Sequence, residues 1–215
     1  MRYLLANILY PDALWHINNL NEVAPDIYQV NIDHYAEPTI IKSHEPLTYE
    51  YPKVIYVYRD GRDVAVSYYN LFKTAFDYSG SFTEFLSLML KGDNLVVYGS
   101  WQDHVSGWLS ADYANKIFYI KYEALCANTF EIMQHVCDFI GIDVNDKMIF
   151  KAIEKSAFSV QLEDVKKYSE HYVKGFLGGV KGGPGKWREV FTDETNELFW
   201  YFAGELMARL GYVRQ

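Results

Sequence analysis

A chain of 215 residues, half of them hydrophobic and 17% aromatic, has enough apolar surface to bury one substantial core, so a single domain over 1–215 is expected and long disordered stretches are not. Its formal net charge of -8 argues against a protein that coats nucleic acid, and any anionic ligand has to be met by a local basic pocket. The two cysteines, Cys126 and Cys137, offer neither a disulfide framework nor metal-ligand spacing and read as core residues of a protein from a reducing compartment.

No apolar run is long enough to span a bilayer, and the first residues lack the basic-then-apolar pattern of a signal peptide. A soluble, cytoplasmic protein without a membrane partner is the expectation. Oligomeric state is not legible in the sequence.

In chain order, Met1–Tyr10 has helical character, with Leu4, Leu5, Ile8 and Leu9 as an apolar stripe, and Pro11-Asp12 ends it. Ala24-Pro25-Asp26 reads as a turn. Thr39–His44 is a short strand broken by Glu45-Pro46. A strand end carrying Lys42 and His44 and followed at once by a loop is where α/β sheets build their sites. Taken alone, a histidine such as His44 is more often an ordinary surface or core residue.

Lys53–Tyr58, β-branched and aromatic, predicts a buried parallel strand. The period then changes: Val64, Ala65, Tyr68, Leu71 and Phe72 recur on one helical face. Asp60 suits the N-cap, Gly61 the first helical position, and Asp63 places a carboxylate where the helix dipole favours it. Arg59 and Arg62 thus lie at a strand-to-helix turn whose free N–H groups and basic side chains suit a phosphate. Pairing with Asp60, Asp63 or the helix ends is the alternative for both arginines.

Further helices are predicted from Ser81-Phe-Thr-Glu84 to Lys91, stopped by Gly92, and from Tyr98 to Leu109. Lys116–Lys121 is another strand, followed directly by Tyr122-Glu123. Asn128-Thr-Phe-Glu131 starts a helix carrying Ile132, Val136, Phe139 and Ile140 and closed by Gly141. Lys147–Lys155 continues in helical character. Gly175–Arg188 holds too many glycines for a regular element, yet Lys181, Lys186 and Arg188 are interleaved with them and Trp187 can anchor the loop, an arrangement able to wrap N–H groups round a phosphate. Thr192 caps a last helix with Leu198, Phe199, Phe202, Leu206 and Leu210 on one face. Strands alternating with helices predict an α/β fold with a parallel sheet.

Several of these stretches, in order, resemble the sulfotransferases that use 3'-phosphoadenosine 5'-phosphosulfate (PAPS). Ile41-Lys-Ser-His-Glu-Pro46 resembles their Lys-Thr-His-x-Pro stretch. Tyr56–Tyr69 is similar to their 3'-phosphate-binding stretch, Tyr119-Ile-Lys-Tyr-Glu123 to their Tyr-Glu-Asp stretch, Ser156-Ala-Phe158 to their Thr-Ser-Phe stretch, and Lys181-Gly-Gly-Pro-Gly-Lys-Trp187 to their late Arg-Lys-Gly-x-x-Gly-Asp-Trp loop. The resemblance implies a P-loop-NTPase-like, three-layer α/β fold. It implies that Arg59, Ser67, Lys181 and Gly182 hold the 3'-phosphate, that Tyr122 and Phe158 frame adenine, that His44 is the general base, and that Lys42 stabilises developing charge. Arg62 is then a helix-end or surface residue, and Trp187 a loop anchor. PAPS is the implied co-substrate, no metal is needed, and the acceptor is a small molecule or glycan bearing a hydroxyl or amine.

Two departures stand out. The late-loop Arg and Asp of the family fall at Val180 and Lys186, and the Pro-Lys-Ser-Gly-Thr-Thr-Trp phosphosulfate loop, due just before Arg2, has no counterpart. The expectation is an N-terminally incomplete chain with little or no transfer activity of its own. The competing readings are a non-catalytic nucleotide-binding protein and a nucleotide or nucleoside kinase.

Overall fold

The structure, a computed structural model, describes residues 1–29, 40–47, 51–93, 98–111, 116–157, 160 and 183–214. The described residues divide into two compact units, those within 1–44 and 128–173 and those within 45–127 and 174–215.

In the second unit, β1 (Val54–Tyr58) pairs in parallel with β2 (Ile117–Lys121), in register from Val54↔Ile117 to Tyr58↔Lys121. The two strands therefore end at the same level, and each runs into a helix: β1 through Arg59-Asp60 into α1 (Gly61–Ala75), β2 without an intervening residue into α2 (Tyr122–Ala127). Asp60 is the N-cap of α1, its carboxylate accepting from the backbone N–H of Arg62 at 2.9 Å. Among its described residues this unit also holds the helices α3 (Phe82–Lys91), α4 (Trp101–Leu109) and α5 (Asp193–Arg209). Ser81 with Glu84 and Thr192 with Thr195 form reciprocal capping boxes on α3 and α5, and Gly92 ends α3 in the left-handed conformation (φ 68°).

The core of this unit lies where α1, α3, α4 and α5 meet, around Ala65, Phe85, Leu86, Met89, Leu90, Trp101, Val105, Phe199, Ala203 and Met207. Burial of each large side chain contributes about 1.5–3 kcal/mol. Gly61 is dictated by this packing: a Cβ there would lie 2.6 Å from Trp101 Cδ2 and 2.7 Å from Phe199 Cζ. The predicted helical faces are rotated slightly. Leu71 is exposed, and α5 buries Thr195, Asn196, Ala203 and Met207 beside Phe199 and Leu206, with Leu198, Phe202 and Leu210 only partly covered.

In the first unit, α6 (Arg2–Leu9) packs on α7 (Asp146–Lys155), which in turn packs on α8 (Thr129–Ile140). These helices bury Leu4, Leu5, Ala6, Ile8, Met133, Val136, Cys137, Ile149 and Ala152, and Leu20 and Ala24 are buried in the same unit. Buried Asn7 donates to Tyr3 O at 2.9 Å and to Ser156 Oγ at 3.2 Å. The expected side-chain cap at Asn128 is not formed. A single residue separates α2 from α8, and it adopts φ -133°, ψ 50° instead of the extended conformation a capping side chain requires.

The predicted strand Thr39–His44 is, among its described residues, a single parallel bridge between Lys42 and Asp26. Lys42 N–H donates to Pro25 O at 2.8 Å, and Ile27 N–H donates to Lys42 O at 2.9 Å. Ala24-Pro25-Asp26, expected as a turn, is thus the pairing partner of that segment.

Candidate functional site

The strand-to-helix turn 59–63 places its charged side chains in two layers. Arg62, expected as a helix-end or surface residue, does lie in the first turn of α1 but is only 2% exposed. Its guanidinium donates to both oxygens of Asp60, at 3.1 and 2.9 Å, and lies 3.6 Å from the centroid of the Trp187 ring. A charge this deep persists because a carboxylate and an aromatic face replace its water. Arg62 is therefore a core residue, and the pairing alternative holds for it.

Arg59 occupies the outer layer. Its Nη2 donates to Gly183 O at 2.7 Å and pairs with Asp63 Oδ2 at 3.1 Å, while the guanidinium lies 4.7 Å from the centroid of the Tyr122 ring. Its Nε is buried and has no hydrogen-bond partner among the described residues. One cation is thus held by a carbonyl, a carboxylate and a ring, with a donor left over for an acceptor such as a phosphate oxygen.

Asp63 is the hub of this layer. Its side chain is fully buried; Oδ2 accepts from Gly185 N–H at 2.7 Å and Oδ1 from Trp187 N–H at 2.9 Å, besides the pair with Arg59. Gly185 suits the loop because its φ is +85°, in the left-handed region that favours glycine. Ser67 lies one turn beyond Asp63 on the same face of α1 and is exposed. Trp187 anchors the loop as expected, 5% exposed and edge-on to Phe191 with centroids 5.8 Å apart. Lys186, standing where the resembling motif has Asp, pairs with Glu189 at 3.0 Å.

At the end of β2, burial, a hydrogen bond with Cys126 and that thiol's charge push the Tyr122 hydroxyl up to about 12, against the opposing pull of Arg59. Cys126 is exposed one turn along α2, so only Cys137 fits the core reading. Glu123 ties three segments together: Oε1 accepts from Asp60 N–H at 3.0 Å and Oε2 from the Tyr212 hydroxyl at 3.0 Å. Lys121 Nζ donates to Leu210 O at 3.1 Å and lies 3.8 Å from the centroid of the Tyr212 ring.

Glu45, which follows His44 in the chain, has its carbonyl fixed by two ring N–H donors, His104 Nε2 and Trp108 Nε1, both at 3.2 Å. A carbonyl only accepts, so Nε2 carries hydrogen, and in the neutral ring Nδ1 accepts from the Tyr56 hydroxyl at 3.0 Å. His44 itself is exposed, and Lys42 is ion-paired with Asp26 at 2.5 Å; both belong to the unit that holds residues 1–44. Phe158, Lys181 and Gly182 lie outside the described residues. Reasoning from sequence offered Asp63 as an arginine partner, and the Arg59-x-x-x-Asp63 spacing puts the two charges one helical turn apart, but it missed the hold of Asp63 on the loop and the roles of Glu123 and His104.

Among the described residues no group of three or more His, Cys, Asp or Glu side chains is placed to hold a metal ion, and no helix is long and apolar enough to cross a membrane.

The family model for the sulfotransferase domain matches residues 13–211. The chain is 29% identical over 179 residues to sulfotransferase 1A1 of Bos taurus, covering 75% of this chain and 59% of that protein. It is 31% identical over 186 residues to sulfotransferase 2B1 of Mus musculus, covering 79% and 54%. It thus spans less than two thirds of the length of these relatives. Among solved structures, a mouse sulfotransferase complexed with PAP superposes with a TM-score of 0.63 at 30% identity, over 73% of this chain and 58% of that one. Retinol dehydratase in complex with androsterone and the inactive cofactor PAP gives 0.70 at 20% identity, over 81% and 55%, a likeness of fold. The parallel strand pair with its flanking helices is the sulfotransferase α/β fold, and the chain belongs to the sulfotransferase domain family.

Proposed function

We propose that the chain carries the 3'-phosphoadenosine side of a sulfotransferase site, and that its reaction moves the sulfuryl group of PAPS to a hydroxyl or amine of a small-molecule or glycan acceptor. The arrangement of Arg59 carries this reading. A guanidinium at a strand end, braced by Asp63 and Gly183 O, stacked on Tyr122 and left with a buried unpartnered Nε, is built to receive a charged acceptor. The residues present fit a 3'-phosphate for that reason. Ser67 adds a hydroxyl on the same face, Lys181 and Gly182 add a cation and a backbone N–H, and Tyr122 and Phe158 frame adenine.

In this reading a bond forms between the acceptor oxygen or nitrogen and sulfur while the bond from sulfur to the 5'-phosphate oxygen breaks, leaving adenosine 3',5'-bisphosphate (PAP). His44 takes the acceptor proton, a role suited to a group titrating near neutrality. Lys42 stabilises charge developing at the transferring group. A second reading, nucleotide binding without transfer, is favoured by one observation: Lys42 is already engaged by Asp26.

The test is calorimetric titration of the chain with PAP, paired with an assay for sulfate transfer from PAPS to a panel of phenols, sterols and sugars. Saturable PAP binding is expected, and its absence refutes the nucleotide reading. Transfer by the 215 residues is expected to be slight, since none of them matches the phosphosulfate loop motif. Where transfer is detected, His44→Ala should abolish it and leave PAP affinity intact. Undiminished turnover in that variant removes His44 from the role of base.

A further inference from the structure

Asp63 is not itself assigned to a ligand, yet it links Arg59 to the segment 183–187. Three donors from two separate segments converge on it: Arg59 Nη2 at 3.1 Å, Gly185 N–H at 2.7 Å and Trp187 N–H at 2.9 Å. Its side chain is fully buried, so among the described residues its charge is compensated by these partners and by the N-terminus of α1, in whose first turn it lies. Arg59 in turn donates to Gly183 O at 2.7 Å. Arg59, Asp63 and the segment 183–187 therefore form a closed ring, in which the Arg59–Asp63 ion pair is joined to the hydrogen bonds that each of the two side chains makes with the segment.

We propose that Asp63 is a positioning residue for 3'-phosphate recognition: it fixes the Arg59 guanidinium and the glycine loop in one arrangement, so that phosphate discrimination depends on a carboxylate that never meets the phosphate. This rests on the nucleotide reading above. Two opposed effects set the sign. A negative charge beside Arg59 weakens the attraction for a phosphate through space, whereas holding the guanidinium and the loop in place removes the ordering cost of binding. Three short contacts to a buried group favour the second. Asn at this position keeps the shape but turns an amide donor toward Gly185 or Trp187 N–H, so it breaks the ring at one of its contacts.

The experiment compares affinities for PAP and for adenosine 5'-monophosphate, which lacks the 3'-phosphate. In Asp63→Asn, PAP affinity should fall at least tenfold while affinity for the monophosphate stays within about twofold, and adding the substitution to Arg59→Gln should weaken PAP no further. Tighter or unchanged PAP binding overturns the proposal. So does an equal loss for both ligands, the mark of a purely structural role. Should Asp63→Asn fail to fold by circular dichroism, Asp63→Glu serves instead: it keeps the charge and displaces the carboxylate, and the same selective loss is expected, with an equal loss for both ligands again decisive against. Wild-type protein that does not bind PAP brings down the nucleotide reading and this inference with it; wild-type binding with an unselective variant brings down only the role of Asp63.

Discussion

Arg59 and Arg62 are three residues apart, carry the same charge and end in opposite environments. Arg62 finds Asp60 and the face of Trp187 and is sealed in, while Arg59 meets Asp63, Gly183 O and Tyr122 and keeps a donor in reserve. Charge reversal should separate them. Arg59→Glu removes a charge-assisted contact and sets a second carboxylate beside buried Asp63, so it is expected to weaken PAP binding by more than ~2 kcal/mol and to lower Tm as well; an unchanged dissociation constant would contradict the assignment. Gly61 makes a different point at the same scale. Ala at an exposed helical position ordinarily gains up to about 1 kcal/mol over Gly, but a methyl here meets two buried rings at 2.6 and 2.7 Å. Overpacking wins, and Gly61→Ala should destabilise by about 1–3 kcal/mol in urea denaturation. Gly107 is the control: it lies in α4, exposed, with nothing within 4 Å of a Cβ, so Ala there should be neutral or stabilising.

Among the elements, α3 shows how local sequence sets a boundary without help from the rest of the fold. Ser81 Oγ accepts from Glu84 N–H at 3.3 Å and Glu84 Oε2 accepts from Ser81 N–H at 2.7 Å. Donation to the Glu84 carboxylate from Ser81 N–H and from the Ser81 hydroxyl, the latter at 2.9 Å, holds that carboxyl below its usual value near 4.5. A carboxylate with a depressed folded-state pKa stabilises above the unfolded pKa, and that contribution is lost as pH falls through the folded value. Ser81→Ala should therefore lower Tm by roughly 2–4 °C at pH 7. The difference between variant and parent should shrink below about pH 4, as thermal melts across pH 3–7 would show. A gap that persists unchanged at low pH would mean that Glu84 takes no part. The helix α8 is the counterexample: its Asn-Thr-Phe-Glu start has the composition of a capping box, but the preceding helix ends one residue earlier and denies Asn128 the extended backbone.

For the molecule as a whole, the abundance of tyrosine leaves a measurable signature. The chain has 19 tyrosines, and burial raises the hydroxyls of Tyr56, Tyr58, Tyr68, Tyr122 and Tyr212 above the ordinary value of 10, with Glu123 adding to the effect at Tyr58 and Tyr212. A group whose folded-state pKa is raised contributes stability that is whole below the unfolded pKa and is lost as pH climbs toward the folded one. Stability should thus hold to about pH 10 and then decline, and ultraviolet titration should show a late class of tyrosines ionising together with unfolding. Tyr212→Phe should remove one member of that class and free the C-terminal segment from Glu123, since its hydroxyl donates to that carboxylate at 3.0 Å. A single tyrosine class titrating near pH 10 in the folded protein would count against this burial.

Much of this was legible in the sequence. Two strands and their following helices, the caps at Asp60, Ser81 and Thr192, and the family itself could be read from periodicity, capping chemistry and short ordered motifs, because each of those signals is written within a few adjacent residues. The partners of the charges were not so written. Whether Arg62 met solvent or Trp187, whether Asp63 served a dipole or a loop 122 residues away, and whether Lys42 stood open or paired with Asp26 depended on contacts between distant segments. A charged side chain carries no local mark of its counter-ion. Only the fold, by removing water from some carboxylates and leaving it on others, decided which of them organise the site.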